Sequence, residues 1–368
     1  THRTGRLELS WGAHANDFSR DHFMDVVGGE RAYLNTGSKN ELSSFLRAGY
    51  DVGRARLWAD AQVRHARFEY RGGQPLGSVS WTFFNPKAGV RFAAAPSLGL
   101  YATAGRMSRE PARSDMLNGE DDASLPYDLE AVEPESLADF ELGADWRRGR
   151  LALHAGVYAM EFENEIALSG ELTEVGLPAR RNAGRSHRRG LELDASFAAS
   201  PRLRLSANAV LSRNAIDAWT QAYDVYDEAG AWLESLTLVH RDVAPLLTPE
   251  AIVNAAVEWK PAAQLSLFAQ GRYVSEAQLD NTGRAGFRTP SFFNLDLQAS
   301  LSLRGLLAKG EPLLRVQAVN LLDDERIWPS GYSYVYFVRG PGGDALAGSS
   351  YYYPQATRSL YATLELRF

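Results

Sequence analysis

The chain has 368 residues, with 39 Lys and Arg against 45 Asp and Glu for a formal net charge of −6, so it lacks the basic excess that nucleic-acid binding demands. It contains no cysteine, which excludes disulfide frameworks, thiolate metal sites and cysteine nucleophiles. Hydrophobic residues at 45% exclude extended disorder, and no uncharged apolar run reaches the roughly 18 residues of a membrane-spanning helix.

Period-2 alternation of apolar and polar residues predicts strands near 5–17, 41–51, 55–70, 82–94, 97–107, 137–147, 150–166, 184–198, 202–213, 250–260, 264–275, 292–304, 313–322 and 357–368. It is cleanest at the C-terminus, where Leu360, Ala362, Leu364, Leu366 and Phe368 alternate with Tyr361, Thr363, Glu365 and Arg367. These segments make about fourteen strands, each near the length that a tilted membrane-spanning strand requires. After alternate strands the chain turns at once, at Gly53, Ala95-Pro96, Arg148-Gly149, Ser200-Pro201 and Lys260-Pro261. After the others come long polar excursions over 108–136, 214–249, 276–291 and 323–356. A soluble sandwich gives no reason to gather the short turns at one end. A transmembrane antiparallel β-barrel does, because its periplasmic turns are short and its extracellular loops long. The fold class is therefore all-β.

Near the short-turn end of the downward strands, on the apolar face, stand Tyr50, Phe92, Trp146, Phe197, Trp259 and Phe368. Aromatic rings suit the lipid–water boundary, so this row is expected to form a membrane-interface girdle. High β propensity of aromatics is the plainer alternative. The opposite faces carry Glu192, Asp194, Arg204, Gln270, Arg272, Asp296 and Gln298, too many charges for a dry core. They are expected to line water or a polar plug.

Several stretches resemble the C-terminal barrel portion of TonB-dependent outer-membrane receptors. The most specific is Val316-Gln317-Ala318-Val319-Asn320-Leu321-Leu322-Asp323-Asp324, followed by Tyr353-Pro354-Gln355-Ala356-Thr357-Arg358-Ser359 and a terminal strand closing on Phe368. Others are Asn85-Pro86-Lys87-Ala88-Gly89-Val90, Tyr101 to Arg106 running on to Arg109-Glu110-Pro111, and Pro134-Glu135-Ser136-Leu137 leading to Glu141-Leu142-Gly143. Gly190-Leu191-Glu192-Leu193 follows later. The resemblance implies a non-enzymatic receptor of the bacterial outer membrane, driven by the TonB–ExbB–ExbD complex, with an iron–siderophore or similar small-molecule ligand bound on the extracellular side. Family members also carry an N-terminal plug and a 22-stranded barrel. This chain shows no plug, so residues 1–368 are expected to be the last 14 strands of such a barrel. The alternative is a plug-less 14-stranded passive pore or hydrophobic-solute channel.

The loop 328–353 holds Trp328, Tyr332, Tyr334, Tyr336, Arg339 and Tyr351 to Tyr353. Aromatic rings with an arginine suit a flat, anionic iron chelate through stacking, cation–π attraction and charge pairing. An upper aromatic girdle with loop packing explains the same residues. Trp219, Tyr223, Tyr226 and Trp232 in the loop 214–249 share that ambiguity. Arg106, Arg109 and Arg113 either attract anions or pair with Glu110 and Asp115. The acidic residues Glu120 to Asp122, Asp128, Glu130 and Glu133 lack the spacing of a calcium loop and are expected to be solvated. Gly340 to Ala345 fits a dinucleotide fingerprint in letters only, because no helix pattern follows. His154 is expected in the wall, not as a catalytic base, and neither a catalytic cluster, a metal site nor a cofactor is predicted. The basic residues Arg181, Arg185, His187, Arg188 and Arg189 either meet lipopolysaccharide phosphates of the outer-membrane lipid or are solvated.

Overall fold

The computed structural model describes residues 2–117, 127–172, 178–304 and 312–366. Among these residues eighteen strands form one sheet, antiparallel except where Val225–Asp227 runs parallel to Phe337–Arg339. Its wall takes Leu7–Asp25, Arg31–Val52, Ala55–Arg71, Ser78–Ala95, Leu98–Arg109, Glu135–Arg148 and Leu151–Glu163 as successive neighbours. It continues through Arg185–Ser200, Leu203–Asp227, Ala251–Ala262, Leu265–Val274, Phe292–Ser302, Leu313–Val319 and Ser359–Glu365. Each of these segments lies on a span of alternating hydrophobicity. Among the described residues one short helix, Arg113–Met116, interrupts the β structure.

The sheet curves but does not close. At one margin Leu7–Asp25 carries only the stub His2–Thr4 on its outer edge, and at the other Ser359–Glu365 pairs only with Leu313–Val319. Among the described residues these margins do not meet, so the strands form an open wall.

Cross-strand partners share a face, which sorts the wall residues by register. Tyr50 lies opposite Leu7 and Leu57, Phe92 opposite Leu100, and Trp146 opposite Leu98 and Leu153. Phe197 faces Leu205, and Trp259 faces Leu203 and Leu267. All stand on one apolar face; Tyr50, Phe92, Phe197 and Trp259 are between 41% and 48% exposed. Phe368 lies outside the described residues. On the opposite face the register lines up Asp145, His154, Asp194, Asn208, Asn254, Arg272 and Asn294 across neighbouring strands. This face is concave and bounds a hollow of about 990 Å³ that includes Arg91, Asp145, His154, Asp194 and Gln270. Glycines on it let rings lie flat on the backbone: a Cβ at Gly143 would come within 2.5 Å of the Tyr101 ring.

The short turns fall where expected, with Gly53 and Gly149 at φ +57° and +58°, a left-handed conformation that glycine adopts without steric cost. One differs: the strand runs through Pro261 to Ala262, and the ladder skips between Trp259 and Ala262. An irregularity is where a strand tolerates a residue that cannot donate a backbone hydrogen bond. The long excursions differ more. Pairing of the first two wall strands continues to Asp25 and Arg31, well past residues 17 and 41. Loop 214–249 instead extends one wall strand to Asp227 and returns as Trp232–Val243; loop 323–356 contains the hairpin Ser330–Gly340 and Gly343–Tyr353. The alternation fades there, yet backbone pairing continues.

Among the described residues the packed apolar clusters sit at this loop end. One joins Phe68, Tyr70, Met116, Leu117 and Leu129; the other joins Ala167, Ala183, Ile216, Trp219 and Val243.

Candidate ligand-binding site

Four separate segments meet at the loop end around a cavity of about 400 Å³. They bring Ser169 and Gly170, Gln221 to Asp224, Asp280 with Thr282, and Tyr332 to Val335. The parallel pairing of Val225–Asp227 with Phe337–Arg339 docks the two long hairpins against each other and so creates the cavity's opposing walls.

Asp280 is buried, and its Oδ1 accepts hydrogen bonds from the Thr282 amide at 2.9 Å and the Thr282 hydroxyl at 2.6 Å. Its Oδ2 accepts from Ser333 Oγ at 3.2 Å, tying this loop to the hairpin. Asn281 is completely buried; it donates to the Leu168 carbonyl and accepts from the Leu246 amide, both at 2.7 Å. Asp224 accepts from Trp232 Nε1 at 3.1 Å and from Ser235 Oγ at 3.2 Å.

The Tyr223 hydroxyl stands 2.8 Å from His240 Nε2, and its ring meets Phe337 edge-on at 5.3 Å. The Arg284 guanidinium lies over the Tyr223 ring, 5.2 Å from its centre. Burial pushes the Tyr223 phenol up to about 12 and pulls the His240 imidazole below its usual value, with Arg284 acting in the same direction on the histidine. Tyr334 is also pushed up to about 12, first by its hydrogen bond with the Tyr226 hydroxyl at 3.2 Å and then by burial. Both phenols stay neutral at physiological pH and offer hydroxyls and ring faces.

Of the residues singled out from sequence, Tyr223, Tyr332 and Tyr334 line the cavity. Tyr332 stacks on Tyr351 at 4.9 Å, Tyr336 packs edge-on against Tyr226 at 5.5 Å, and Trp328 stacks on Tyr352 at 4.6 Å. These contacts are loop packing around the cavity. Trp219 is 2% exposed, under the Arg181 guanidinium at 4.2 Å, and belongs to the packed cluster. Arg339 does not stand with the cavity tyrosines. It sits at the hairpin tip, held by Asp344 at 2.7 Å and Glu234 at 2.6 Å.

Arg109 faces a different hollow, of about 900 Å³, on the concave wall, and is paired with Glu135. The acids expected near these arginines are otherwise engaged: Glu110 binds Arg64 and Lys39, while Asp115 accepts from the Ala112 amide. Arg106 reaches Glu163 at 3.5 Å and Arg113 donates to Asn35. Arg188 pairs with Glu165 and Arg189 with Glu161, each at 2.6 Å. His154 is a wall residue, its Nδ1 2.9 Å from Asp145. Glu120 to Asp122 lie outside the described residues, and Asp128 caps its own turn at the Glu130 amide. Among the described residues no three His, Asp or Glu side chains are grouped as metal ligands. Sequence reading missed Ser169, Asp224, Asp280, Thr282 and Ser333, which are ordinary polar loop residues until the segments converge.

Residues 1–321 match the family described as TonB dependent receptor-like, beta-barrel. Among solved structures, the copper transporter OprC is 15% identical at a TM-score of 0.71, covering 100% of this chain and 54% of OprC. The ferric citrate transporter FecA in its unliganded form is 15% identical at 0.70, covering 100% and 52%. The ferric yersiniabactin uptake receptor FyuA from Yersinia pestis is 13% identical at 0.68, again covering 100% and 52%. At such identities these similarities speak for the fold. No curated protein sequence matches the chain. The chain spans about half the length of the solved structures it matches. The match covers most of a chain that folds as one antiparallel wall, and the chain belongs to the TonB-dependent receptor-like β-barrel family.

Proposed function

We propose that the chain forms the wall and loop-end ligand pocket of a receptor for active uptake of a scarce nutrient across the bacterial outer membrane. The iron–siderophore class is the expected ligand, and the TonB–ExbB–ExbD complex is the energy source. The observation that carries this reading is the pocket of tyrosine faces and polar groups, built from four segments at the loop end of the wall. Family membership supports the receptor role, and the names of several structural neighbours, ferric citrate transporter and siderophore receptor PiuA among them, favour an iron ligand.

The two unpaired sheet margins and the half-length coverage of the neighbours support a place among the last 14 strands of a 22-stranded barrel. In that setting Tyr50, Phe92, Trp146, Phe197 and Trp259 form the periplasmic-side girdle, and the outer faces of the wall contact lipid and lipopolysaccharide.

The test is growth of a deletion strain on single iron sources together with radiolabelled iron uptake. Loss of growth on one chelate, and abolition of its uptake by a protonophore, is the expected result. Uptake that continues without a proton-motive force would sink active transport in favour of a passive route. Tyr334→Ala should weaken binding of that chelate, and unchanged affinity would remove the pocket from the reading.

A further inference from the structure

The segment from Leu279 to Arg288 meets both of the docked hairpins, and it grips them differently. Toward the hairpin Ser330–Gly340 and Gly343–Tyr353 its contacts are ordinary ones. Asp280 Oδ2 accepts from Ser333 Oγ, and the Arg288 carbonyl accepts from the Tyr352 hydroxyl at 3.2 Å. Leu279, fully buried, packs so near Gly331 that a Cβ there would lie 3.2 Å from its side chain. Toward Tyr223, on the other hairpin, the segment presents Arg284. The guanidinium lies 5.2 Å from the centre of the Tyr223 ring and 5.8 Å from that of Phe337, so it spans one ring from each hairpin.

The other arginines that lie over rings among the described residues also have an oxygen partner. Arg31 over Phe23 pairs with Asp25, and Arg54 over Phe92 donates to the Ala94 carbonyl. Arg181 over Trp219 donates to the Thr220 carbonyl, and Arg188 over Phe162 pairs with Glu165. Arg284 differs. Among the described residues its side chain makes neither an ion pair nor a hydrogen bond, and its Nη1 is enclosed. Asp280, four residues earlier, is engaged by Thr282 and Ser333 instead. Enclosing a guanidinium N–H without an acceptor costs stability, and an apolar side chain placed only for packing would avoid that cost. What the cation gains at this place is the two rings.

We infer that Arg284 is a positioning residue of the pocket: its charge, laid over Tyr223 and Phe337, holds the Tyr223 ring in place as a cavity wall and locks both hairpins to the segment that carries Asp280. Tyr223 is then fixed from three directions, by Arg284 over the ring, by Phe337 edge-on at 5.3 Å and by His240 at its hydroxyl at 2.8 Å. Burial first and the Arg284 charge second oppose protonation of His240, and Asp280 favours it more weakly. The positioning of the ring is independent of what the pocket binds. Its effect on a ligand rests on the pocket being the ligand site of an uptake receptor.

The test compares Arg284→Met, which keeps the length without the charge, with Arg284→Lys, which keeps the charge, in the full protein held in lipid nanodiscs. Tyr223 is read by fluorine NMR after labelling with 3-fluorotyrosine, its signal assigned with Tyr223→Phe. His240 is read by proton titration of its labelled imidazole. Arg284→Met should displace the Tyr223 signal and raise the His240 midpoint toward its ordinary value, whereas Arg284→Lys should leave both close to the unmodified protein. Arg284→Gln, also neutral, takes the place of the methionine variant should that one fail to assemble. Unchanged Tyr223 and His240 signals in the neutral variant overturn the inference. A lysine variant as disturbed as the neutral one overturns it too, because packing and not charge would then be the cause. Binding of ferric citrate and of a linear ferric trihydroxamate is measured alongside. A chelate that binds the unmodified protein should bind about tenfold more weakly to the neutral variant, the worth of about one cation–ring contact. Displaced signals with unchanged affinity support the inference and remove the pocket as the ligand site. If neither chelate binds the unmodified protein, the iron reading falls and the two signals still decide the inference.

Discussion

Asn281 holds three loops in register, and its replacement by alanine is the sharpest probe of how the pocket is built. The side chain is 0% exposed, and its two hydrogen bonds, to the Leu168 carbonyl and from the Leu246 amide, are both 2.7 Å long. Alanine removes both partners and leaves a backbone donor and acceptor without them in a site closed to water. At ~1–3 kcal/mol for each group so stranded, the loss is about 3 kcal/mol. It should appear as local opening, because the wall ladder does not depend on this residue. Three kilocalories correspond to about a hundredfold in an opening equilibrium. Hydrogen exchange is the assay: the Leu246 amide and the backbone around Ser169 and Gly170 should exchange about a hundredfold faster, while wall residues such as Glu192 to Phe197 keep their protection. Asn281→Asp should be worse, since it keeps the acceptor but points a charged oxygen at the Leu168 carbonyl. Because Asp280 and Thr282 flank this residue, ligand affinity should fall in parallel. Unchanged protection at Leu246 in Asn281→Ala would refute the reasoning.

Three further outcomes follow from the wall and its rim. Glu110, with a side chain 3% exposed, is bridged by Arg64 and Lys39, so Arg64→Ala should cost about 3 kcal/mol, the low end for a broken buried pair because Lys39 remains, read by denaturant titration in lipid. Burial alone would raise the Glu110 carboxyl, but the bonds from Arg64 and Lys39 outweigh it and hold it at about 2; its stabilising contribution is present above the ordinary value of 4.5 and lost as pH falls toward 2, and a flat stability profile across that window would count against the pairing. Leu193, paired with Ala155 and Ala209 in the middle of the apolar face, should lose about 2–4 kcal/mol on replacement by arginine, against about 0–1 kcal/mol for Trp259→Arg at the boundary. Equal costs at the two positions would undo the assignment of depth.

The wall was legible because each of its strands reads two environments at once. Leu191, Leu193 and Phe197 alternate with Glu192, Asp194 and Ser196, so an apolar face and a polar face are written at every second position. The tight turns at Gly53 and Gly149 were legible for a similarly local reason. The upper hairpins were not: Asp17, Ser19 and Asp21 pair with Asn40, Ser38 and Thr36 in a continuous ladder, but with polar groups outward there is no alternation to mark it. Tyr223, Tyr332 and Tyr334 stood out as an aromatic surplus, yet nothing local separated them from Trp219, which packs a core, or Tyr336, which packs a loop.

By itself, then, the sequence determined an antiparallel wall, its two faces, its tight turns and the end that carries the long excursions, because these follow from a period-2 pattern and short-range backbone geometry. Only the tertiary structure decided that Asp224, Asp280, Ser333 and Ser169 share one cavity and that Arg339 is excluded from it. Those neighbours are joined by long-range pairings such as Val225 with Phe337 and by single buried side chains such as Asn281, and contacts of that kind leave no periodic trace along the chain.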